Sequence, residues 1–303
     1  MIFPLPLQAG DTIAIVATAR KVSRDEMAPA IGILQQWGLQ VVEGENLYAD
    51  KNQYAGDDSL RAEDFQWALD NPKLKAVLFA RGGYGSVRII DRINFSEFKI
   101  NPKWLIGFSD ITTIHSHVHN QLNVATLHAP MAINFPKTPD TVLNQIKDFL
   151  FGNSIVLNAQ AHLLNRMGNA KGQLVGGNLS ILYSLTASAS DIDTKGKILF
   201  LEDLDEYLYH IDRMMMQLKR CGKLHNLAGL VVGAMSEMKD NTIPFGKIAE
   251  EIIAEHVSEY DFPVCFNFPA GHITENNPLA LGGSAELIVA NKVSLKMNNK
   301  TLS

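Results

Sequence analysis

Three widely separated segments carry residue types suited to acyl-transfer chemistry. Ser109 follows the apolar run Trp104-Leu105-Ile106-Gly107-Phe108 and precedes Asp110 and a face of Ile111, Ile114, Val118 and Leu122 at helical spacing. A hydroxyl at such a strand-to-helix turn stands at the carboxyl end of a sheet, where the first N–H groups of the helix can stabilise developing negative charge. Simple capping by Ser109 or Asp110 accounts for the same residues. The G-x-S-x-G pattern of nucleophile elbows is only half matched, because Gly107 is present but Ile111 stands where the second glycine belongs.

Glu202 lies at the end of the apolar run Lys197 to Leu201, at the head of the acidic stretch Glu202-Asp203-Leu204-Asp205-Glu206. One carboxylate there can fix the tautomer of a histidine and stabilise its imidazolium, while the others are solvated or cap the next helix. His272 sits beside Gly271 in a loop after the strand-like Val264 to Phe268, a setting that suits a general base and equally a structural hydrogen-bonding role. The glycines of Arg81-Gly82-Gly83-Tyr84-Gly85 let backbone amides approach an oxyanion or form a tight turn. Neither phosphate-loop pattern is present there. His115-x-His117-x-His119 puts two imidazoles one helical turn apart, but no HExxH glutamate accompanies them, and no metal is expected.

Such groups need a scaffold. Short apolar runs at Thr12–Ala17, Leu39–Glu43, Leu74–Ala80, Trp104–Phe108 and Val124–Leu127 alternate with helical patterns at Arg24–Trp37, Ser59–Leu69, Ser86–Ile93 and Asp110–Gln121, predicting a parallel α/β sheet. A further helix is predicted at Asp140–Phe151, and the polar, aperiodic stretch 158–171 reads as a linker between a domain at 1–157 and one at 172–303. In the second half, helices at Asn178–Thr186, Glu206–Cys221 and Phe245–Val257 mix with strands at Lys197–Leu201, Gly229–Gly233 and Val264–Phe268, and short strands follow from Leu279 to Met297. That half is predicted to be mixed α+β. Met214-Met215-Met216 falls within a helical pattern and reads as core or interface packing.

The chain of 303 residues is 46% hydrophobic and 19% charged, enough for a sizeable core. Its 27 Lys plus Arg against 32 Asp plus Glu give a formal charge of −5 with no long block of one sign, which argues against nucleic acid or an anionic membrane as partner. Without a secretory-signal pattern at the start or an apolar run of about 18 residues, a soluble cytoplasmic protein is expected. Cys221 and Cys265 match no disulfide or zinc pattern and are expected to be buried thiols.

Taken in order, RGGYGSVRIID from Arg81, GFSDIT from Gly107, GGNLSIL from Gly176, LFLEDLDEYLYHIDRMMMQL from Leu199 and FPAGHITENNPLALG from Phe268 resemble the LD-carboxypeptidase family over nearly the whole chain. The resemblance implies a Ser109, Glu202 and His272 triad assembled between an N-terminal α/β domain and a C-terminal α+β domain. It implies an oxyanion hole from the amides of Asp110 and of Gly82 or Gly83, no cofactor, and a homodimer. The substrate so implied is a small murein peptide, cut between the L-centre of meso-diaminopimelate and a terminal D-Ala; a related branch inactivates microcin-like peptidyl nucleotides. A carboxypeptidase must hold a free carboxylate, for which Arg81 and Arg213 are the candidates beside the matched motifs, unless both serve in structural ion pairs. The chain departs from the family at Val16-Ala17-Thr18-Ala19 and at His128-Ala129-Pro130, in loops that bear on substrate choice. A non-catalytic binding protein of the same fold is the other class open to this sequence, and a wide separation of Ser109 from His272 would favour it.

Overall fold

The computed structural model describes residues 1–298. Its first half interleaves β1 (Thr12–Val16), α1 (Arg24–Gln36), β2 (Gln40–Glu43), α2 (Asp58–Asp70), β3 (Leu74–Phe79), α3 (Ser86–Ile89), α4 (Ser96–Ile100), β4 (Trp104–Gly107), α5 (Thr112–Leu122), β5 (Thr126–His128) and α6 (Asp140–Leu150). The second half contains β6 (Ile155–Gln160), β7 (Gly168–Asn178), α7 (Leu179–Ser184), β8 (Ile198–Leu204), α8 (Leu208–Arg220), β9 (Gly229–Ser236), α9 (Ala249–His256), β10 (Val264–Cys265), β11 (Leu279–Leu281), β12 (Ser284–Val289) and β13 (Lys292–Met297).

Two sheets result, ordered β11-β5-β4-β3-β1-β2 and β10-β9-β8-β7-β12-β13-β6. In the first, β1 to β5 are parallel, as their unbroken apolar runs require: β4 is buried at every position and β3 at all but Lys75. In the second, β7 to β10 are parallel, while β12, β13 and β6 continue as an antiparallel ladder. The parallel first sheet and the mixed second half both agree with the α/β class expected from the sequence.

Several local expectations give way. Residues 158–171, expected as a linker, include the end of β6 and the start of β7, which pair with β13 and β12. Along β6 and early β7 more buried and more exposed positions alternate, so polar outward residues conceal a half-buried strand. β11 pairs antiparallel with β5, a long-range return to the first sheet that no local pattern announces. Cys265 is buried, but Cys221 is exposed at the end of α8. The three adjacent methionines lie in α8 as expected, Met214 and Met215 in the core and Met216 exposed.

One apolar cluster runs across both sheets, from Ile13, Ile106 and Leu127 to Leu174, Phe200 and Leu287. It brings the carboxyl ends of β4 and β8 together. The seam is also hydrogen-bonded, since the Asn178 amide at the end of β7 donates to Thr112 Oγ1 at the start of α5 (3.0 Å).

Candidate active site

Ser109 opens a short 3-10 turn, Ser109–Ile111, between β4 and α5. Its φ of 62° lies in the left-handed region, which a non-glycine residue occupies at some cost. The turn lifts the hydroxyl clear of the sheet end, as a nucleophile elbow does, without the second glycine of that motif. Asp110 points inward, 1% exposed; its Oδ2 accepts from the Ser86 amide (2.8 Å), tying the Ser109 turn to the end of the glycine loop. Burial raises the Asp110 pKa, only partly offset by donors from Ser86 and Gly85. That loop comes so close that a Cβ at Gly82 would lie 3.2 Å from Ser109 Cβ and 3.3 Å from Oγ. Among the described residues nothing accepts from the Gly82 or Gly83 amides.

Glu202 and Asp203 are consecutive on β8, yet both are buried, at 0% and 2% exposure. Strand geometry sends them to opposite faces, and the β8–β9 register shifts between Leu201 and Asp203. Asp203 accepts from Asn178 Nδ2 (2.9 Å) and the Ser180 amide (2.9 Å), holding the start of α7. Burial first, then the charge of Glu202, raises its pKa to about 7. Glu202 faces the other way and accepts from His272 Nδ1 (2.6 Å). The Ser109 hydroxyl stands 3.0 Å from the opposite ring nitrogen, Nε2, of the same imidazole. With Nδ1–H donated to a carboxylate, the neutral ring presents its Nε2 lone pair to Ser109.

The His272 loop is held from three sides. Asn276 Oδ1 accepts from the Gly271 amide (2.7 Å), Ser236 Oγ donates to the His272 carbonyl (2.8 Å), and the Phe108 ring packs 4.8 Å from the imidazole, centroid to centroid. Gly271 has a φ of 112°, and a Cβ there would meet Glu202 Oε2 and Cβ at 2.8 Å, so only glycine lets the loop descend onto the carboxylate. Desolvation opposes charge on His272, but the charge and hydrogen bond of Glu202, with smaller help from Asp203 and Glu237, outweigh it and raise the pKa. Glu202 shifts the other way: burial disfavours its anion, and His272, chiefly by charge, overcomes that and lowers the pKa.

The structure thus brings Ser109, Glu202, His272, Asp110, Gly82 and Gly83 to one place. It brings Arg81 there as well, lining a cleft of about 360 Å³ beside Ser109 and His272, with a long contact of 3.9 Å to Glu26. It does not bring Arg213, which lies on the outer face of α8 with its guanidinium over the Tyr209 ring at 5.1 Å. Ile211, Met214, Met215 and Leu218 take the buried face of that helix and turn Arg213 to solvent. Two cations that the sequence did not single out, Arg20 and Lys137, share the cleft with Arg81. His115 and His119 are engaged separately, with Gly107 O (2.9 Å) and Thr126 Oγ1 (2.9 Å). Among the described residues no group of three metal-ligating side chains is clustered.

A two-sheet α/β fold with a carboxylate–imidazole–hydroxyl relay at the seam defines a hydrolase of the acyl-transfer type. Residues 13–129 match the model for the LD-carboxypeptidase N-terminal domain, and residues 171–287 that for the LD-carboxypeptidase C-terminal domain. The chain belongs to the LD-carboxypeptidase family, and it is a carboxypeptidase by that membership. It is 33% identical, over 96% of its length and 93% of the relative's, to the probable murein peptide carboxypeptidase of Bacillus subtilis. The crystal structure of muramoyltetrapeptide carboxypeptidase from Oxalobacter formigenes superposes with a TM-score of 0.86 at 27% identity, covering 95% of this chain and 98% of that one. The microcin C7 self-immunity protein MccF in its wild-type apo state shares the fold, with a TM-score of 0.89 at 20% identity over the full length of both chains.

Proposed function

We propose that this protein is a serine carboxypeptidase that hydrolyses an LD-peptide bond, releasing the terminal D-Ala of a murein tetrapeptide through an acyl-enzyme. One observation carries the reading: the unbroken relay from Glu202 through His272 to Ser109, with contacts of 2.6 and 3.0 Å. A protein kept only for binding has no need of a buried carboxylate aligning an imidazole on a hydroxyl.

Ser109 Oγ attacks the scissile carbonyl as His272 Nε2 takes its proton, and Glu202 stabilises the imidazolium that forms. The oxyanion is received by the Asp110 amide and by one of the Gly82 or Gly83 amides. His272 then protonates the leaving D-Ala nitrogen, and the same groups activate water to cleave the ester. Arg81 and Arg20 hold the free carboxylate of the substrate in the cleft beside Ser109.

The division into units at 1–157 and 172–303, with Leu279–Leu281 returning to the first sheet, belongs to the same proposal, as do a cytoplasmic setting and a homodimer. The family resemblance supports the last two. No helix among the described residues is long and apolar enough to cross a membrane.

Purified protein should release D-Ala from murein tetrapeptide with EDTA present, and a serine-directed phosphonate should label Ser109 and stop turnover. No D-Ala release, or full turnover after stoichiometric labelling, would overturn the reading.

A further inference from the structure

The glycine loop beside Ser109 rests on the segment 17–20 that leaves β1. The Arg20 amide donates to Gly82 O (3.4 Å), and a Cβ at Gly85 would come within 2.8 Å of Thr18 O and 2.9 Å of Ala19 Cα. Glycines carry no side chains to wedge a loop in place, so the segment beneath decides where their amides point. That segment is held in turn by Arg61, near the start of α2 and only 1% exposed. Its Nε donates to Thr18 O (3.1 Å), Nη1 to Gly56 O (2.8 Å) and Nη2 to Asp58 Oδ1 (2.5 Å), with the Tyr54 ring 4.7 Å over the guanidinium. The Thr18 side chain continues the path: its hydroxyl stands 2.9 Å from Ser86 Oγ, and the Ser86 amide donates to Asp110 Oδ2 (2.8 Å), next to Ser109. Thr18 and Ser86 are fully buried. The charge of Arg61 reaches Asp110 as well, favouring its carboxylate against burial behind the Ser86 and Gly85 donors. A buried guanidinium need not stabilise a fold better than apolar residues of similar volume, but its rigid planar fork fixes the direction of every acceptor it binds.

We propose that Arg61 and Thr18 are positioning residues of the reaction: through the Thr18 peptide and the Ser86 hydroxyl they hold the Gly82 and Gly83 amides at the distance from Ser109 where the oxyanion is received. The inference rests on the peptidase reading above. Neither residue touches substrate. A loop freed from this brace still lines the cleft and still admits the peptide, so ground-state binding is kept. What is lost is the aim of the donors at an oxygen that carries full charge only in the transition state.

The test compares Arg61→Lys, Thr18→Val and Thr18→Ser with the unaltered protein on murein tetrapeptide, urea midpoints reporting that each is folded. Lysine keeps the charge but has no Nε–H to give Thr18 O; valine keeps the shape of threonine and removes the hydroxyl that meets Ser86. Arg61→Lys should lower kcat by about 10- to 100-fold and Thr18→Val by about 10-fold, each with KM within about threefold. Thr18→Ser, which retains the hydroxyl, should restore most of that kcat. A peptide boronic acid, whose tetrahedral adduct on Ser109 sets an oxygen where the oxyanion forms, should weaken by the same factors as kcat/KM falls, while affinity for the tripeptide product stays unchanged. The double variant Thr18→Val with Arg61→Lys should lose less than the product of the single losses, because both cut one path. Should Arg61→Lys fail to fold, the two Thr18 variants decide alone. Folded variants with unaltered kcat, a rise in KM alone, or falling kcat with undiminished boronate affinity would each overturn the inference and leave the peptidase reading intact. Neither turnover nor boronate binding by the unaltered protein would sink the peptidase reading and this inference with it.

Discussion

The two sides of the seam treat enclosed imidazoles in opposite ways. On the first sheet's side, His115, His119 and His128 are buried, and desolvation dominates: the His115 pKa falls to about 3, that of His128 to about 4, and that of His119 also well below the ordinary value. Each has one hydrogen-bond partner and a second ring nitrogen with none. They are neutral struts within the packing. On the second sheet's side His272 is largely enclosed too, yet the ionised Glu202 on its Nδ1 raises its pKa. Burial alone removes an imidazole from acid–base chemistry, and a buried anion on one nitrogen restores it.

The largest effect that tests this contrast is loss of the base. His272→Ala should lower kcat/KM by roughly 10⁴-fold, whereas His115→Leu should leave it within about threefold, measured on the same tetrapeptide. Comparable losses for both would break the comparison. Glu202→Gln should cost about 10³- to 10⁴-fold, because an amide neither stabilises the imidazolium nor enforces the tautomer. Its pH profile sharpens the point. The reaction needs neutral His272, so activity is lost as pH falls through a pKa raised above its ordinary value; without the Glu202 charge, the acid limb of the residual activity should move to lower pH. An unmoved limb would take Glu202 out of that role.

Asp110→Ala should have a smaller effect, about 10- to 100-fold in kcat with little change in KM, because it unties the glycine loop from the nucleophile turn without removing a reacting group. The smallest effect concerns stability. A histidine buried neutral has a folded-state pKa below its unfolded value, so its contribution is complete above pH 6.5 and is lost as pH falls toward about 3 for His115. Such a histidine steepens acid destabilisation by up to roughly 1.4 kcal/mol per pH unit in that window. Urea titrations of His115→Leu between pH 6.5 and 4 should therefore show a shallower decline than the unaltered protein.

Much of the scaffold is legible in the sequence because its signals are local. The apolar runs of β1 to β5 and the helical faces between them announce a parallel sheet, and the structure places these strands within a residue or two of expectation. What local pattern cannot show is pairing at a distance. The return of β11 to β5, and the strand character of 158–160 and 168–171 behind polar side chains, depend on partners more than a hundred residues away. The same holds at the site. Ser109 alone reads equally well as a helix cap, and only the resemblance of five ordered motifs sets Glu202 and His272 apart from other buried or loop residues. Arg213 lies near a matched motif in sequence, but its turn of α8 faces solvent. Arg20, Lys137 and Glu237 are single charges with no neighbouring pattern, and only folding gathers them around His272.

The relay from Glu202 to Ser109 is tested most directly by a single comparison, D-Ala release from murein tetrapeptide by the unaltered protein and by Ser109→Ala, with rapid acid quenching and mass mapping of residue 109. The account predicts a transient acyl adduct on Ser109 in the unaltered protein and a loss of about 10⁴-fold or more in turnover for the variant. Turnover by Ser109→Ala within tenfold of the unaltered rate would contradict it.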